Sequence, residues 1–469
     1  MQQRQKLHVS NSRSMHTEHT HSLRHRLGRV CLTLALLLAA QAATALTLKE
    51  AVELAMSNDP TFLAAQANLN VSRERAAQAV AGLFPQITAS VSTTSNRRKY
   101  ALQSNPPPSN TPTERYNSNS AQLNLTQPLW RHNSIIAMTQ ADLAVSQADF
   151  QMIAAAQELL VRLSQSWFDT MQARDSVIAA EAQVNAAQQQ LQLSQSGHDK
   201  GVLSLTELED ARAKHEQAIA EHAMAQSELE IKLATLEQIV GPATHTPPIL
   251  SNQFASSAVG DVSLEQWLKQ AEEGNPSILA AQRAVDAANE EIRKQSAGHE
   301  PTLDLVASYG NNAQAAGISG GQLGFESRQS TIGLQLNIPL YAGGGQSAKV
   351  REALALRDRA AQELEAARRN ARLSAKQTWF TWRASAVREA SSKQAMQSAG
   401  LALSGAQSAR SLGVKADIDV LQAEQQHATA LRDWRKARYE AIISQLKLKA
   451  VCGQLAGEEL VELDRLFSY

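Results

Sequence analysis

Residues 331–340 read TIGLQLNIPL, which places Ile332, Leu334, Leu336, Ile338 and Leu340 on one face of an extended chain and Gly333, Gln335, Asn337 and Pro339 on the other. A repeat of two is the signature of a β-strand. The stretch behind it follows a different period. From Pro339 to the end there is no further proline. The segment is rich in Ala, Leu, Gln, Glu, Arg and Lys, residues of high helix propensity, and Leu354, Leu364, Leu373, Trp379-Phe380 and Val387 mark an apolar helical stripe. Helix alone would describe a coiled-coil fibre or spacer. A strand at the mouth of the rod excludes that.

Outward from this strand, TLDLVASY (302–309) starts just after Pro301, and the glycine-rich GNNAQAAGISGGQLG (310–324) separates the two. The first half of the chain repeats the arrangement. QITASVS (86–92) follows Pro85, NPPPSNTP (105–112) reads as a loop, and AQLNLTQPL (121–129) alternates through Leu123 and Leu125. No proline lies between Pro128 and Pro242, and Ile153, Leu160, Leu163, Trp167, Met171 and Val177-Ile178 supply the helical stripe. A single helix over 131–197 runs about 100 Å at 1.5 Å per residue. The Gly-bearing turns SGHDKGV (196–202) and SLGVKAD (411–417) fold each rod into a hairpin. Small residues such as Ala179-Ala180, Ala182 and Ala186-Ala187 allow close helix approach.

The likeness of the halves is a duplication. PTFLAAQ (60–66) returns as PSILAAQ (276–282), and at the same offset of 216 Leu48 faces Leu264, Glu74 faces Glu290 and Pro85 faces Pro301. Later the offset settles at 212, matching Trp167-Phe168 with Trp379-Phe380, Gly201-Val202 with Gly413-Val414, and Gly241 with Gly453. Such a period is far longer than that of a solenoid, so each copy is a whole structural half. The expected organisation is a first repeat over 46–257, with strand pair 86–129 and hairpin 131–240. A second follows over 258–453, with strand pair 302–340 and hairpin 345–452, and then a tail at 454–469.

Residues 1–45 read as an export signal: Arg24, Arg26 and Arg29 precede the apolar run VCLTLALLLAA (30–40), and Ala43-Thr44-Ala45 offers a cleavage site. The residues before Arg24 are long for such a signal, and Met15 offers a second start. Five of the 12 histidines (His8, His16, His19, His21, His25) lie there and would leave with it, so they are not read as a metal site. Removal of this segment leaves 39 basic against 44 acidic residues, which gives no concentrated basic face for nucleic acid. Cys452 then stands alone, unable to form an internal disulfide, and reads as a small core residue. The chain has neither a phosphate loop nor a zinc-protease motif, and no enzyme or cofactor is expected.

Strands of about ten residues with one apolar and one polar face, in an exported chain, carry the signature of an outer-membrane barrel. Four strands cannot close one, and an open edge in hydrocarbon leaves backbone groups unpaired. Other copies must supply the rest: two chains give eight strands and three give twelve, and the pattern alone leaves both open. Trp130 and Tyr341 suit a membrane-water boundary, as they suit ordinary helix-strand packing. The rival reading is a periplasmic coiled-coil adaptor or scaffold, which needs the hairpins but no lipid-facing strands.

The paired openings Asn58-Asp59-Pro60 and Asn275-Pro276, together with Gln127-Pro128-Leu129, Ile338-Pro339-Leu340-Tyr341, Gly343-Gly344 and the turns at Gly201 and Gly413, resemble the TolC family of outer-membrane efflux and secretion channels. The likeness spans residues 46 to about 453. It implies a mostly α fold with β: a homotrimer sharing a twelve-stranded β-barrel, with the long hairpins forming an α-helical tunnel across the periplasm. It implies a periplasmic adaptor (membrane fusion protein) and an inner-membrane transporter, ABC or proton-driven, as partners. Gly201, Val202, Gly413 and Val414 become adaptor-docking tips.

The resemblance also implies a gate. Lys415 and Asp419 stand where the inner hairpin of the family carries a basic residue and an aspartate, and Thr206-Glu207 resembles the family's Thr-Asp. Lys415 is then expected to pair with the Thr206-Glu207 region of a neighbouring hairpin, with Asp419 lining the constriction. Arg410 replaces an expected tyrosine and Gln422 a second aspartate; the first change suggests an Arg410–Glu207 pair. Local chemistry competes here, since Ser204 with Glu207 reads as a capping box and Asp417 as an N-cap. The first copy departs further, with Trp130-Arg131-His132 where the second has Tyr341-Ala342-Gly343.

Overall fold

The computed structural model describes residues 46–99, 113–242, 249–250, 263–315, 323–464 and 467–468. The expected export signal, the proline-rich loop and the centre of the glycine-rich loop lie outside them. Helix α1 (Leu48–Asn58) leads into α2 (Pro60–Ala81), and after strands β1 (Gln86–Lys99) and β2 (Thr113–Trp130) come α3 (His132–Asp199) and α4 (Leu205–Val240). The second copy follows the same order: α5 (Leu264–Gly274), α6 (Pro276–Ser296), β4 (Thr302–Gln314), β5 (Phe325–Asn337), α7 (Gly345–Ser411) and α8 (Asp417–Val451). A two-residue strand β3 (Ile249–Leu250) pairs with β6 (Phe467–Ser468), and the tail adds helix α9 (Gly457–Asp464).

The helix starts repeat between copies as their sequences do. Thr47 and Glu50 form a capping box on α1, and Ser263 and Gln266 form one on α5. Pro60 and Pro276 both sit at the first turn, where a missing N–H and a fixed φ cost nothing. Ahead of them Asp59 accepts the Phe62 amide at 2.8 Å and Asn275 accepts the Ile278 amide at 3.3 Å.

Helix α3 has 68 residues and α7 has 67, whereas their hairpin partners α4 and α8 have only 36 and 35. At 1.5 Å per residue the long helices reach about 100 Å and the short ones about 54 Å. The shorter α2 and α6 cover the remaining length, so α2 with α4, and α6 with α8, form two broken columns beside two continuous ones. Asparagines splice the breaks: Asn58 Nδ2 donates to the Val240 carbonyl at 2.8 Å, and Asn275 Nδ2 to that of Val451 at 2.8 Å. Gly453 makes the second splice tight. It holds φ 74°, and a Cβ there would stand 2.1 Å from the Gly274 carbonyl oxygen.

The main core lies at these splices, midway along the rods. Leu48, Leu159, Leu163, Trp167, Phe168, Leu236, Val240, Ile442, Leu446 and Leu460 bring α1, α3, α4, α8 and α9 together. Leu160, Leu163, Trp167 and Met171 of the expected stripe are buried, whereas Ile153 and Ile178 at its ends are exposed. In α7 the stripe is mostly open: Leu373, Phe380 and Val387 face out of the single chain. Cys452 is buried in a satellite cluster with Leu268, Ala271 and Ala375, and burial pushes its thiol up to about 11. It is a core residue.

The four-stranded sheet runs β1-β2-β4-β5, antiparallel throughout, so β1 and β5 are its open edges. Its register separates two faces. Ile87, Leu125, Ala307 and Ile332 lie in one row, while Thr88, Asn124, Ser308 and Thr331 line the next, on the opposite side. On the loop side all four strands run well past the lengths legible from their apolar residues. The polar ladder beyond Val91 and before Ala121 pairs without a break, and Gly310–Gln314 belongs to β4 and not to the loop. At the other end β5 stops at Asn337, so Ile338 and Leu340 leave the expected lipid row. Pro339 has no N–H to donate to a ladder. No described helix is long and apolar enough to cross a membrane.

Candidate functional site

Both hairpins close in the same way. Lys200 and Leu412 end their helices, and the residues after them, Gly201 and Gly413, adopt φ of 74° and 71°. The Val202 amide then reaches the Gly197 carbonyl at 2.8 Å and the Gly201 amide that of His198 at 2.8 Å; Val414 reaches Ala409 at 2.9 Å and Gly413 reaches Arg410 at 2.9 Å. This pair of bonds is a Schellman motif, and it needs a residue free to be left-handed at its first position. The valine that follows is turned outward: Val202 and Val414 are each 77% exposed.

The acids beyond the turns serve first as caps. Glu207 Oε2 accepts the Ser204 amide at 2.8 Å and the Ser204 hydroxyl at 2.8 Å, while Ser204 Oγ accepts the Glu207 amide at 3.3 Å. The Ser204 amide and hydroxyl hold the Glu207 carboxyl below its usual range. Thr206 is an exposed residue of the same first turn. Asp419 occupies the matching place on α8 and accepts the Ala416 amide at 3.2 Å.

Two expectations need correction here. Asp417 is not the N-cap: Ala416 holds the extended cap conformation and Asp417 is the first helical residue. Nor does Arg410 pair with Glu207; its guanidinium pairs with Asp417 across the turn of its own hairpin. The tight turn brings Asp417 within reach of Arg410. Lys415 has no ion-pair partner among the described residues. A cleft of about 710 Å³ between α3, α4 and α8 is lined by Gln190, Glu207, Asp210, Asp417, Leu203 and Ile418, so the two hairpin ends border one space of mixed character.

Two polar clusters away from the turns escaped the sequence reading. Arg131 makes a two-pronged contact with Asp304 of β4, Nε at 2.8 Å and Nη2 at 2.7 Å, and His132 Nδ1 lies 2.7 Å from Glu300 Oε2. Thus the Arg131-His132 pair that replaces the second copy's glycine-rich bend ties the start of α3 to the foot of the sheet. At mid-rod, Asp175 of α3 accepts from Arg435 at 2.6 Å and from the Tyr439 hydroxyl at 2.8 Å, both on α8. Beside them Arg438 lies over the Trp434 ring at 5.2 Å, and burial pulls it down to about 10. The signal available for both was an acid set in a row that is otherwise neutral.

Solved structures share this architecture. The Campylobacter jejuni CmeC outer membrane channel superposes with a TM-score of 0.71 at 17% identity, covering 89% of each chain. VceC, an outer membrane protein of Vibrio cholerae, gives 0.67 at 21% identity over 87% of this chain and 96% of its own. By sequence, the chain is 28% identical to Outer membrane protein TolC of Vibrio cholerae over 89% of its length and 93% of the relative's. It is 27% identical to the Proteases secretion protein PrtF of Dickeya chrysanthemi, over 93% and 95%. The family model for outer membrane efflux proteins matches twice, at residues 51–242 and 267–454, once for each structural copy. A duplicated hairpin-and-strand chain with one apolar sheet face and open sheet edges is what that family assembles from, and this chain belongs to the outer membrane efflux protein family.

Proposed function

We propose that this protein is the passive exit duct of a tripartite export system, a trimer that leads efflux substrates or secreted polypeptides through the periplasm and across the outer membrane. One observation carries the reading. A sheet with an apolar outer row and two unpaired edges is continuous with rods of about 100 Å, and only closure with further copies satisfies those edges in lipid. The adaptor alternative finds no support, because it has no use for such a row. Two relatives are named for protease secretion, PrtF of Dickeya chrysanthemi and AprF of Pseudomonas aeruginosa, which favours polypeptide cargo as the first to test. Purified protein should form SDS-resistant trimers and conducting channels in planar bilayers; a soluble monomer without conductance sinks the duct.

The tips supply the partner surface. Six Schellman turns per trimer, each presenting one valine, would meet the helical ends of a periplasmic adaptor that links the duct to an inner-membrane transporter. Val202→Asp with Val414→Asp is expected to abolish export of a reporter cargo and adaptor crosslinking while leaving trimers intact. Normal export by the double variant removes docking from the account.

The gate is charge-held. Lys415, which has no ion-pair partner among the described residues, reaches in this reading to the Thr206-Glu207 region of a neighbouring hairpin. The Arg410–Asp417 pair stiffens the turn from which it reaches. With its carboxyl held low by Ser204, Glu207 stays ionised at neutral and mildly acidic pH and remains available as an acceptor. Lys415→Ala and Arg410→Ala should each raise single-channel conductance several-fold. Asp419→Asn keeps an acceptor for the Ala416 amide but removes charge, and should reduce cation selectivity. If conductance is unchanged in both basic variants, the latch is wrong; if selectivity survives Asp419→Asn, that residue does not line the constriction.

A further inference from the structure

The two open edges of the sheet match each other. β1 has 14 residues and β5 has 13, and the strands run in opposite directions. Set side by side with Gln86 opposite Asn337, they pair over the whole of β5. Outward side chains then meet outward side chains: Ile87 falls opposite Leu336, Ala89 opposite Leu334 and Val91 opposite Ile332. Beyond the apolar rows, Arg97 falls opposite Glu326.

Charge selects the same alignment. Within the chain Arg97 lies directly opposite Arg115 of β2, and like charges facing each other across two strands repel. Neither arginine makes an ion pair among the described residues. Glu326, on the other edge, meets Arg328 at 3.5 Å and the Asn311 amide at 2.9 Å, and its side chain is still 55% exposed. An acid from the next copy beside Arg97 offsets the repulsion. A slip of two residues loses this contact: in one direction Arg97 meets Arg328 and Thr93 meets Ile332, and in the other Arg97 meets Gly324.

Barrel geometry is an independent check. Within one copy the register leads from Gln86 to Thr126, from Thr126 to Val306 and from Val306 to Gly333; the seam then leads from Gly333 to Ser90 of the next copy. From Gln86 to Ser90 is a climb of four residues, about 13 Å, over four strand spacings of about 4.8 Å each. That slope is a tilt of about 35°, as membrane barrels have. The slip towards Arg328 steepens it to about 46° and the slip towards Gly324 flattens it to about 19°.

We propose that β1 of each copy pairs with β5 of the next in this register, with an ion pair between Arg97 and the next copy's Glu326 at its outer end. The proposal rests on the duct reading, in which copies share one barrel. Cysteine pairs test the register on purified trimer, oxidised with copper phenanthroline and run boiled and unreduced. Val91 and Ile332 lie on opposite edges of the chain's own sheet, so a disulfide between cysteines placed there joins neighbouring copies. Residues directly opposite bring their Cβ atoms to about 4.5–5.5 Å, and diagonal ones only to about 7–8 Å. Val91→Cys with Ile332→Cys should therefore give several-fold more covalent trimer than Val91→Cys with Leu334→Cys or with Ser330→Cys, the pairs that the two slips bring together. Arg97→Glu alone and Glu326→Arg alone should each lower the temperature at which the trimer dissociates in SDS, and the two together should restore it. Faster crosslinking by either slipped pair overturns the register, and failure of the charge exchange to restore the trimer overturns the ion pair. Conducting trimers with no crosslink from any pair overturn the seam itself. Should the cysteine variants not assemble, the charge exchange alone carries the test. Absence of both trimer and conductance in the wild type would strike the duct reading instead.

Discussion

Arginine in place of Ile332 will destabilise the barrel by about 2–4 kcal/mol, while arginine in place of the neighbouring Gln335 will be nearly silent. Ile332 lies in the outward row with Ile87, Leu125 and Ala307, and Gln335 lies opposite Asp304 on the polar face. The penalty depends on depth. Along β5 the outward row reads Leu336, Leu334, Ile332, Ser330, Arg328, so Ile332 is its centre and Leu336 sits one residue from the strand end. Leu334→Arg should therefore fall between the two, and Leu336→Arg should cost only about 1 kcal/mol or less, near the interface. The measurement is the shift in urea midpoint for folding into bilayers across the four variants. A flat series, or damage at Gln335 equal to that at Ile332, would remove the sheet from the membrane.

A loss of about 3–5 kcal/mol is expected from Asp175→Ala, because it strands a buried cation and a buried hydroxyl at once. Asp175 and Arg435 have side chains only 6% and 18% exposed, and burial together with the Asp175 carboxylate pushes the Tyr439 phenol above its ordinary range. The cluster joins α3 to α8, which belong to different copies of the duplicated unit. Its removal should thus loosen one hairpin from the other as well as lower stability. Asp175→Asn keeps an acceptor for Tyr439 and should cost about half as much. Thermal unfolding in detergent provides the comparison, and an alanine variant as stable as the wild type would show that the network is dispensable.

The fold was largely legible because its signals are backbone signals. Pro60, Pro276, Gly201, Gly413, Gly241 and Gly453 mark breaks that any homologous half must make in the same place, and the structure uses them as helix starts, Schellman turns and splices. Strand ends were harder. Serine, asparagine and threonine between Ser92 and Asn96, and again before Ala121, look like loop, yet a polar ladder needs only backbone pairing and a lumen to face. Ion-pair partners near the turns were harder still. Arg410 and Asp417 are seven positions apart in sequence, and only the geometry of the turn between them makes them neighbours. Asp175 and Arg435 are 260 positions apart, a distance across which no local pattern carries information.

Each copy contributes four strands in strictly alternating directions, with β1 and β5 at the edges. An even number has a consequence for assembly. Wherever one copy ends on a descending strand, the next begins on an ascending one, so the seam between copies is antiparallel however many copies join the ring. Hydrogen bonding is thus indifferent to stoichiometry: rings of two, three or four would all close without a mismatched seam. The choice of three then falls to the rods, where the small residues of α3 and the open apolar stripe of α7 set the angle at which one copy meets the next. Pore width in this architecture is consequently an inherited property of helix packing, open to change by substitutions far from the membrane that the pore crosses.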